Sequence, residues 1–207
     1  MTTTTRPLPK TSLVNLPNGL TLSRLLLTAV LCGCIHAQLW LAGLIVFILA
    51  ILTDWLDGFF ARKFGTSSAF GRCFDPLVDK VLVCCALVFL LPHPESGLAA
   101  WMVALIVARE LLITGLRGLV EQAGINFGAD YLGKLKMVTQ SGYLLVVLLQ
   151  LTLAVQTPNQ AGDVLQTLAS ILLVATIVAT VVSGIQYVLR AAPILANWES
   201  VSGHPNA

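Results

Sequence analysis

Long, predominantly apolar stretches with few charges, separated by short runs rich in Pro, Gly and Asn, dominate this chain from residue 20 onward. Six of them, at 20–37, 38–63, 71–92, 98–121, 133–156 and 164–191, each come near the roughly 20 residues that an α-helix needs to cross a bilayer. None shows the apolar–polar alternation of a membrane-spanning strand. The pattern predicts an all-α integral membrane protein, a bundle of about six transmembrane helices. Pro92-His93-Pro94, Gln122–Gly133 and Thr157-Pro158-Asn159 have the composition of loops. Ahead of the first span, Thr11–Asn18 alternates apolar with polar residues and predicts a short N-terminal amphipathic helix lying on the membrane surface. Pro17-Asn18-Gly19 should then break the chain, with Asn18 or Thr21 capping the first span. No repeat or linker divides the remainder. One membrane domain over 11–196 is expected, between a polar, disordered N-terminus (1–10) and a polar tail (197–207).

Composition supports this map. Of the residues 57% are hydrophobic and 11% charged, against about 25% charged in soluble domains. The net charge of +2 says little, but its distribution says much. Arg6, Lys10, Arg24, Arg62, Lys63, Arg72, Lys80, Arg109, Arg117, Lys134, Lys136 and Arg190 all fall on one side of a six-helix topology. The opposite loops offer His36, His93, Glu95 and Asp163. The positive-inside rule makes the basic side cytoplasmic, with both termini there. Basic residues placed at helix ends need no nucleic acid, and none is expected as a partner. Cys32, Cys34, Cys73, Cys84 and Cys85 are odd in number and lack CxxC spacing, so they read as small apolar side chains rather than a disulfide or metal framework.

Candidate chemistry begins with acids beside apolar runs. Asp54 and Asp57 lie three apart near the cytoplasmic end of the second span, and Asp75 and Asp79 four apart at the start of the third. Each pair shares a helix face. Read as structure alone, they are helix-end charges paired with Arg62, Lys63, Arg72 and Lys80. That account fits single acids better than two spaced pairs with Asp54 about two turns inside a span. Converging carboxylates near a membrane repel one another unless a cation is shared. Hard oxygen donors of this kind suit Mg²⁺ and its relatives, with substrate phosphate completing the shell.

These residues also carry a family pattern. D-G-x-x-A-R, eight residues, then G-x-x-x-D-x-x-x-D is matched without a gap by Asp57, Gly58, Ala61, Arg62, Gly71, Asp75 and Asp79, with Asp54 upstream. In this the chain resembles the CDP-alcohol phosphatidyltransferases, and the six-span layout extends the resemblance over nearly its whole length. The resemblance implies that Asp54, Asp57, Asp75 and Asp79 hold two divalent cations, Mg or Mn, and that Asp79 is also the general base. It implies that Gly58, Arg62, Ser68 and Gly71 line the CDP site, with Pro17 and Asn18 contributing to the CDP-diacylglycerol pocket. It further implies a homodimer in a bacterial-type cytoplasmic membrane.

A second constellation is basic. Arg109 and Arg117 lie eight apart in the fourth span, and Lys134 and Lys136 open the fifth. Such side chains would grip an anion, most simply a phosphate on the acceptor. They also read as ordinary positive-inside anchors, with Arg109 paired to Glu110. NLPNGLTLSR, ARELLITGLR and GKLKMVTQ are similar to the branch of the family that transfers to sn-glycerol 3-phosphate, although Met137 stands where that branch usually has threonine. Other acceptors (inositol phosphate, phosphatidylglycerol, serine) remain alternatives. So do a divalent-cation transporter and a non-catalytic lipid-binding role.

Overall fold

The computed structural model describes the backbone of residues 16–64, 69–122, 131–156 and 162–196, and side chains over 23–53, 80–118, 131–155 and 163–193 and at 78 and 120. The described chain is helical: α1 (Leu16–His36), α2 (Trp40–Phe64), α3 (Ala69–Leu90), α4 (Ala100–Gln122), α5 (Tyr131–Gln156) and α6 (Gly162–Ala196), with a 3₁₀ turn at Pro94–Ser96. All six expected spans have a helix, with ends shifted by a few residues. The expected break at Pro17-Asn18-Gly19 is corrected, because α1 starts at Leu16 and runs through it. Proline is tolerated in a first turn, where its missing N–H would lack an intrahelical acceptor anyway. The rest of the expected amphipathic segment, 11–15, lies outside the described residues, as do 1–10 and 197–207.

Short, defined turns join α1 to α2 and α3 to α4. Gln38 takes φ 57°, and its N–H bonds the Ile35 carbonyl at 3.0 Å while Leu39 N–H bonds Cys34 at 2.8 Å. That is the Schellman arrangement, which satisfies the last carbonyls of α1 and reverses the chain into α2. Between α3 and α4 the 3₁₀ turn ends on left-handed Gly97. The hydroxyl of fully buried Tyr143 donates to Ser96 O at 2.8 Å, tying the turn to α5.

α1 packs along both α2 and α3, α5 along α6 and α2, and α4 along α6 and more narrowly along α3. Leu31 and Ile35, Leu44 and Phe47, Leu87 and Leu90, Ile106, and Tyr143, Leu144 and Leu148 form most of the main core, joined by Ala169 and Leu173 of α6. Among the described residues, α1 is the broad neighbour that α2 and α3 share.

The surface is inverted relative to a water-soluble bundle. On α6, Ile171 and Val174 are 60% and 63% exposed, whereas Thr176, Thr180 and Ser183 are 0%, 0% and 2% exposed. Hydrocarbon as solvent accounts for this: apolar side chains cost nothing facing lipid, and small hydroxyls allow close helix approach. Among the described residues, Tyr131–Val155 of α5 and Asp163–Pro193 of α6 are long and apolar enough to cross a membrane, with shorter apolar helical stretches at Ser23–His36, Trp40–Thr53 and Lys80–Leu90. This is the exterior of a membrane protein. Cys32, Cys34, Cys84 and Cys85 are free thiols.

Candidate active site

α4 buries a stripe of Val103, Ile106, Glu110, Ile113 and Val120, spaced three to four apart apart from the last step, so a single face points inward. Glu110 sits in the middle of that stripe. α5 buries Lys136, Gln140, Tyr143 and Val147, and α6 buries Thr176, Thr180, Ser183 and Tyr187, again at helical spacing. The polar residues therefore occupy core positions of otherwise apolar helices.

These stripes, with Lys80 of α3, bring side chains of four helices into one cluster around Glu110. Lys136 Nζ from α5 donates to Glu110 Oε1 at 2.6 Å. Arg109 Nη1 donates to the same oxygen at 2.8 Å, and its Nη2 reaches Ser183 Oγ on α6 at 2.9 Å. Lys80 Nζ from α3 lies 3.7 Å from Glu110 Oε2 and donates to the Thr114 hydroxyl. Thr114 in turn donates to the Glu110 carbonyl at 2.6 Å. Glu110 is 5% and Lys136 2% exposed, so neither ion can rely on water, and each needs the other to stay charged. Adjacent residues on a helix do not ordinarily face one another. The Arg109–Glu110 contact exists because the long guanidinium arm lies along the α4–α6 seam, where Gly184 leaves room: a Cβ there would stand 3.4 Å from Arg109 Cγ.

The same interior keeps unused hydrogen-bonding capacity. Arg109 Nε, Gln140 Nε2 and Thr180 Oγ1 are buried without a partner, Gln140 one turn from Lys136 and Thr180 one turn from Ser183. Charge is also unbalanced. Among the described residues, three cations (Lys80, Arg109, Lys136) face a single carboxylate. Such a cluster can accept a further anion.

Of the four basic residues singled out in the sequence, the structure gathers Arg109 and Lys136 at Glu110. It leaves Lys134 and Arg117 exposed towards the same end of the bundle. Met137 is 55% exposed, so position 137 faces away from the cluster, and a threonine hydroxyl there would not enter it. Sequence reasoning missed Lys80, Thr114 and Ser183, and treated Glu110 only as a neighbour for Arg109. The available signal was an acid lodged mid-span beside an arginine, a placement that usually marks function.

For the acidic constellation the structure gives backbone position alone. Asp54, Asp57, Gly58 and Arg62 lie in the last turns of α2, Gly71, Asp75 and Asp79 in the first half of α3, and Pro17 and Asn18 in the first turn of α1. Their side chains, and Ser68 altogether, lie outside the described residues. Among the described residues no group of three His, Cys, Asp or Glu is placed to hold a metal. The donor set itself fits one: four carboxylates, paired at helical spacing on two successive helices, the first ending at Phe64 and the second starting at Ala69, are hard oxygen ligands suited to Mg²⁺ or Mn²⁺.

Comparison with known proteins bears on this arrangement. A model of the family described as CDP-alcohol phosphatidyltransferase matches residues 14–182, a stretch containing every site residue named from the sequence. The chain belongs to the CDP-alcohol phosphatidyltransferase family. It is 35% identical over 202 residues to a protein of Bacillus subtilis named CDP-diacylglycerol–glycerol-3-phosphate 3-phosphatidyltransferase, covering 90% of this chain and 97% of that one. Proteins of the same name from Rickettsia typhi and Salmonella choleraesuis are 36% and 34% identical, over 65% and 61% of this chain and 76% and 72% of theirs. Phosphatidyltransferases of this family generally depend on divalent metal, in keeping with the four aspartates.

Proposed function

We propose that this phosphatidyltransferase moves the phosphatidyl group of CDP-diacylglycerol to sn-glycerol 3-phosphate, releasing phosphatidylglycerophosphate and CMP. Relatives carrying that activity in their names, one of them aligned over 97% of its length, support the reaction. The single observation that carries the acceptor is the cation-rich cluster at Glu110. A phosphate-bearing acceptor uses it; serine does not.

Asp54, Asp57, Asp75 and Asp79 would hold two divalent ions, whose chemistry when bound is to neutralise the pyrophosphate and the leaving CMP. Gly58, Arg62, Ser68 and Gly71 would line the CDP site, Arg62 on phosphate, with Pro17 and Asn18 at the lipid-nucleotide pocket. Arg109 and Lys136 would grip the acceptor phosphate, and exposed Arg117 and Lys134 would gather the anion at the mouth. The primary hydroxyl of glycerol 3-phosphate attacks the β-phosphorus. Its proton passes to the Asp79 carboxylate, and the bond from that phosphorus to the oxygen bridging to CMP breaks. The one-sided distribution of Lys and Arg supports six spans over a single domain (11–196) in the cytoplasmic membrane, with termini and site cytoplasmic. Family membership supports a homodimer.

The test is CMP release by purified protein given CDP-diacylglycerol, Mg²⁺ or Mn²⁺ and a panel of alcohols. Release should require glycerol 3-phosphate, stop on chelation of the metal, return with either ion, and be abolished by Asp79→Asn. Dependence on inositol phosphate, phosphatidylglycerol or serine instead would overturn the assignment of acceptor.

A further inference from the structure

We infer that Glu110 is a positioning residue for the acceptor, gathering Arg109, Lys136 and Lys80 into a cradle for a phosphate monoester. The inference rests on the acceptor reading above and adds to it a residue and a charge rule.

Three cationic side chains from three helices converge on the two oxygens of one carboxylate. Oε1 accepts from Arg109 and Lys136, and Oε2 faces Lys80. Without that carboxylate, like charges in a low-dielectric interior would repel and the arms would part. Glu110 thus fixes where the cations stand before any substrate arrives. It does not exhaust them. An ammonium has three N–H donors and a guanidinium five. Among the described residues, the Lys136 ammonium donates to Glu110 alone. Arg109 Nε is buried without a partner, and Gln140 Nε2 waits one turn along α5.

Charge sets the class of ligand: among the described residues three cations face one carboxylate, an excess of positive charge that favours an anion such as a phosphate monoester over a neutral alcohol. Arg109 is further held by Ser183 at 2.9 Å, so its plane is set from α6 while Glu110 sets it from α4.

The decisive experiment uses the full-length enzyme in mixed micelles and compares KM for the two substrates. Wild type must first release CMP in response to glycerol 3-phosphate; if it does not, the acceptor reading itself has failed, and this inference with it. Given that activity, Glu110→Gln should raise KM for glycerol 3-phosphate about tenfold or more while KM for CDP-diacylglycerol stays within about twofold. Inorganic phosphate, competing with glycerol 3-phosphate, should lose potency by a similar factor. Glu110→Asp, which keeps the charge on a shorter arm, should recover most of the loss. Should Glu110→Gln fail to fold, Glu110→Asp decides by the same split, with its smaller rise in KM, about two- to threefold, confined to the acceptor. Equal rises in both KM values, or a fall in kcat alone, would reduce Glu110 to a structural ion and overturn the proposal.

Discussion

Lys134 and Lys136 are two residues apart and chemically identical, yet the fold gives them opposite surroundings. Lys136 is buried against Glu110 at 2.6 Å, while Lys134 is exposed. Stripping one partner from a buried ion pair typically costs about 3–5 kcal/mol. Here Arg109 and Lys80 remain beside Glu110, so Lys136→Met should cost less, about 1–3 kcal/mol, and raise KM for the acceptor. Lys134→Met should move stability by no more than about 0.5 kcal/mol. Thermal unfolding of the two variants in one detergent measures the difference directly, and equal shifts would contradict the burial of Lys136. Nothing in the side-chain chemistry distinguishes the two lysines beforehand. The phase of α5 does: 136, 140, 143 and 147 make one stripe, and 134 lies off it.

Among the elements, α4 and α6 owe their close approach around Arg109 to Gly184, where a Cβ would come within 3.4 Å of the arginine's Cγ. Alanine at that position asks a flexible arm to yield by a small amount and should be tolerated. Leucine would fill the seam, displace the guanidinium from Ser183 and Glu110, and raise KM for the acceptor by about an order of magnitude. Acceptor kinetics of Gly184→Ala and Gly184→Leu, measured together, test this; identical kinetics would show that the Arg109 arm is not held by the seam. The helices themselves were legible because runs of about 20 apolar residues leave few alternatives. Helix ends were not, since Pro17 and Pro193 both sit inside helices, where the first is harmless in an opening turn and the second lies near the end of α6. The basic half of the site was half legible: spacing picked out Arg109 and Lys136, but no linear pattern pairs Lys80 of α3 or Ser183 of α6 with α4. Those contacts exist only once the bundle packs. The aspartates were the most legible feature of all, as a motif, and backbone position is what the structure adds to them.

For the molecule as a whole, the polar cluster and the lipid-facing surface are two sides of one constraint. Ions at Glu110, Lys136 and Arg109 survive in an apolar bundle because they meet one another there, and the bundle survives in lipid because Ile171, Val174 and their like face outward. The arrangement works as a cytoplasmic catalyst only if each helix crosses the membrane in turn. Glu95 and Asp163 then belong on one side and Lys134 on the other, α4 separating Glu95 from Lys134 and α5 separating Lys134 from Asp163. All three side chains are exposed, which suits them to labelling. With Cys32, Cys34, Cys73, Cys84 and Cys85 replaced, single cysteines at 95 and 163 should react with a membrane-impermeant maleimide on intact cells. A cysteine at 134 should react only after the membrane is opened. Labelling of 134 and 163 from the same side would mean that α5 does not cross, and would overturn the six-span arrangement.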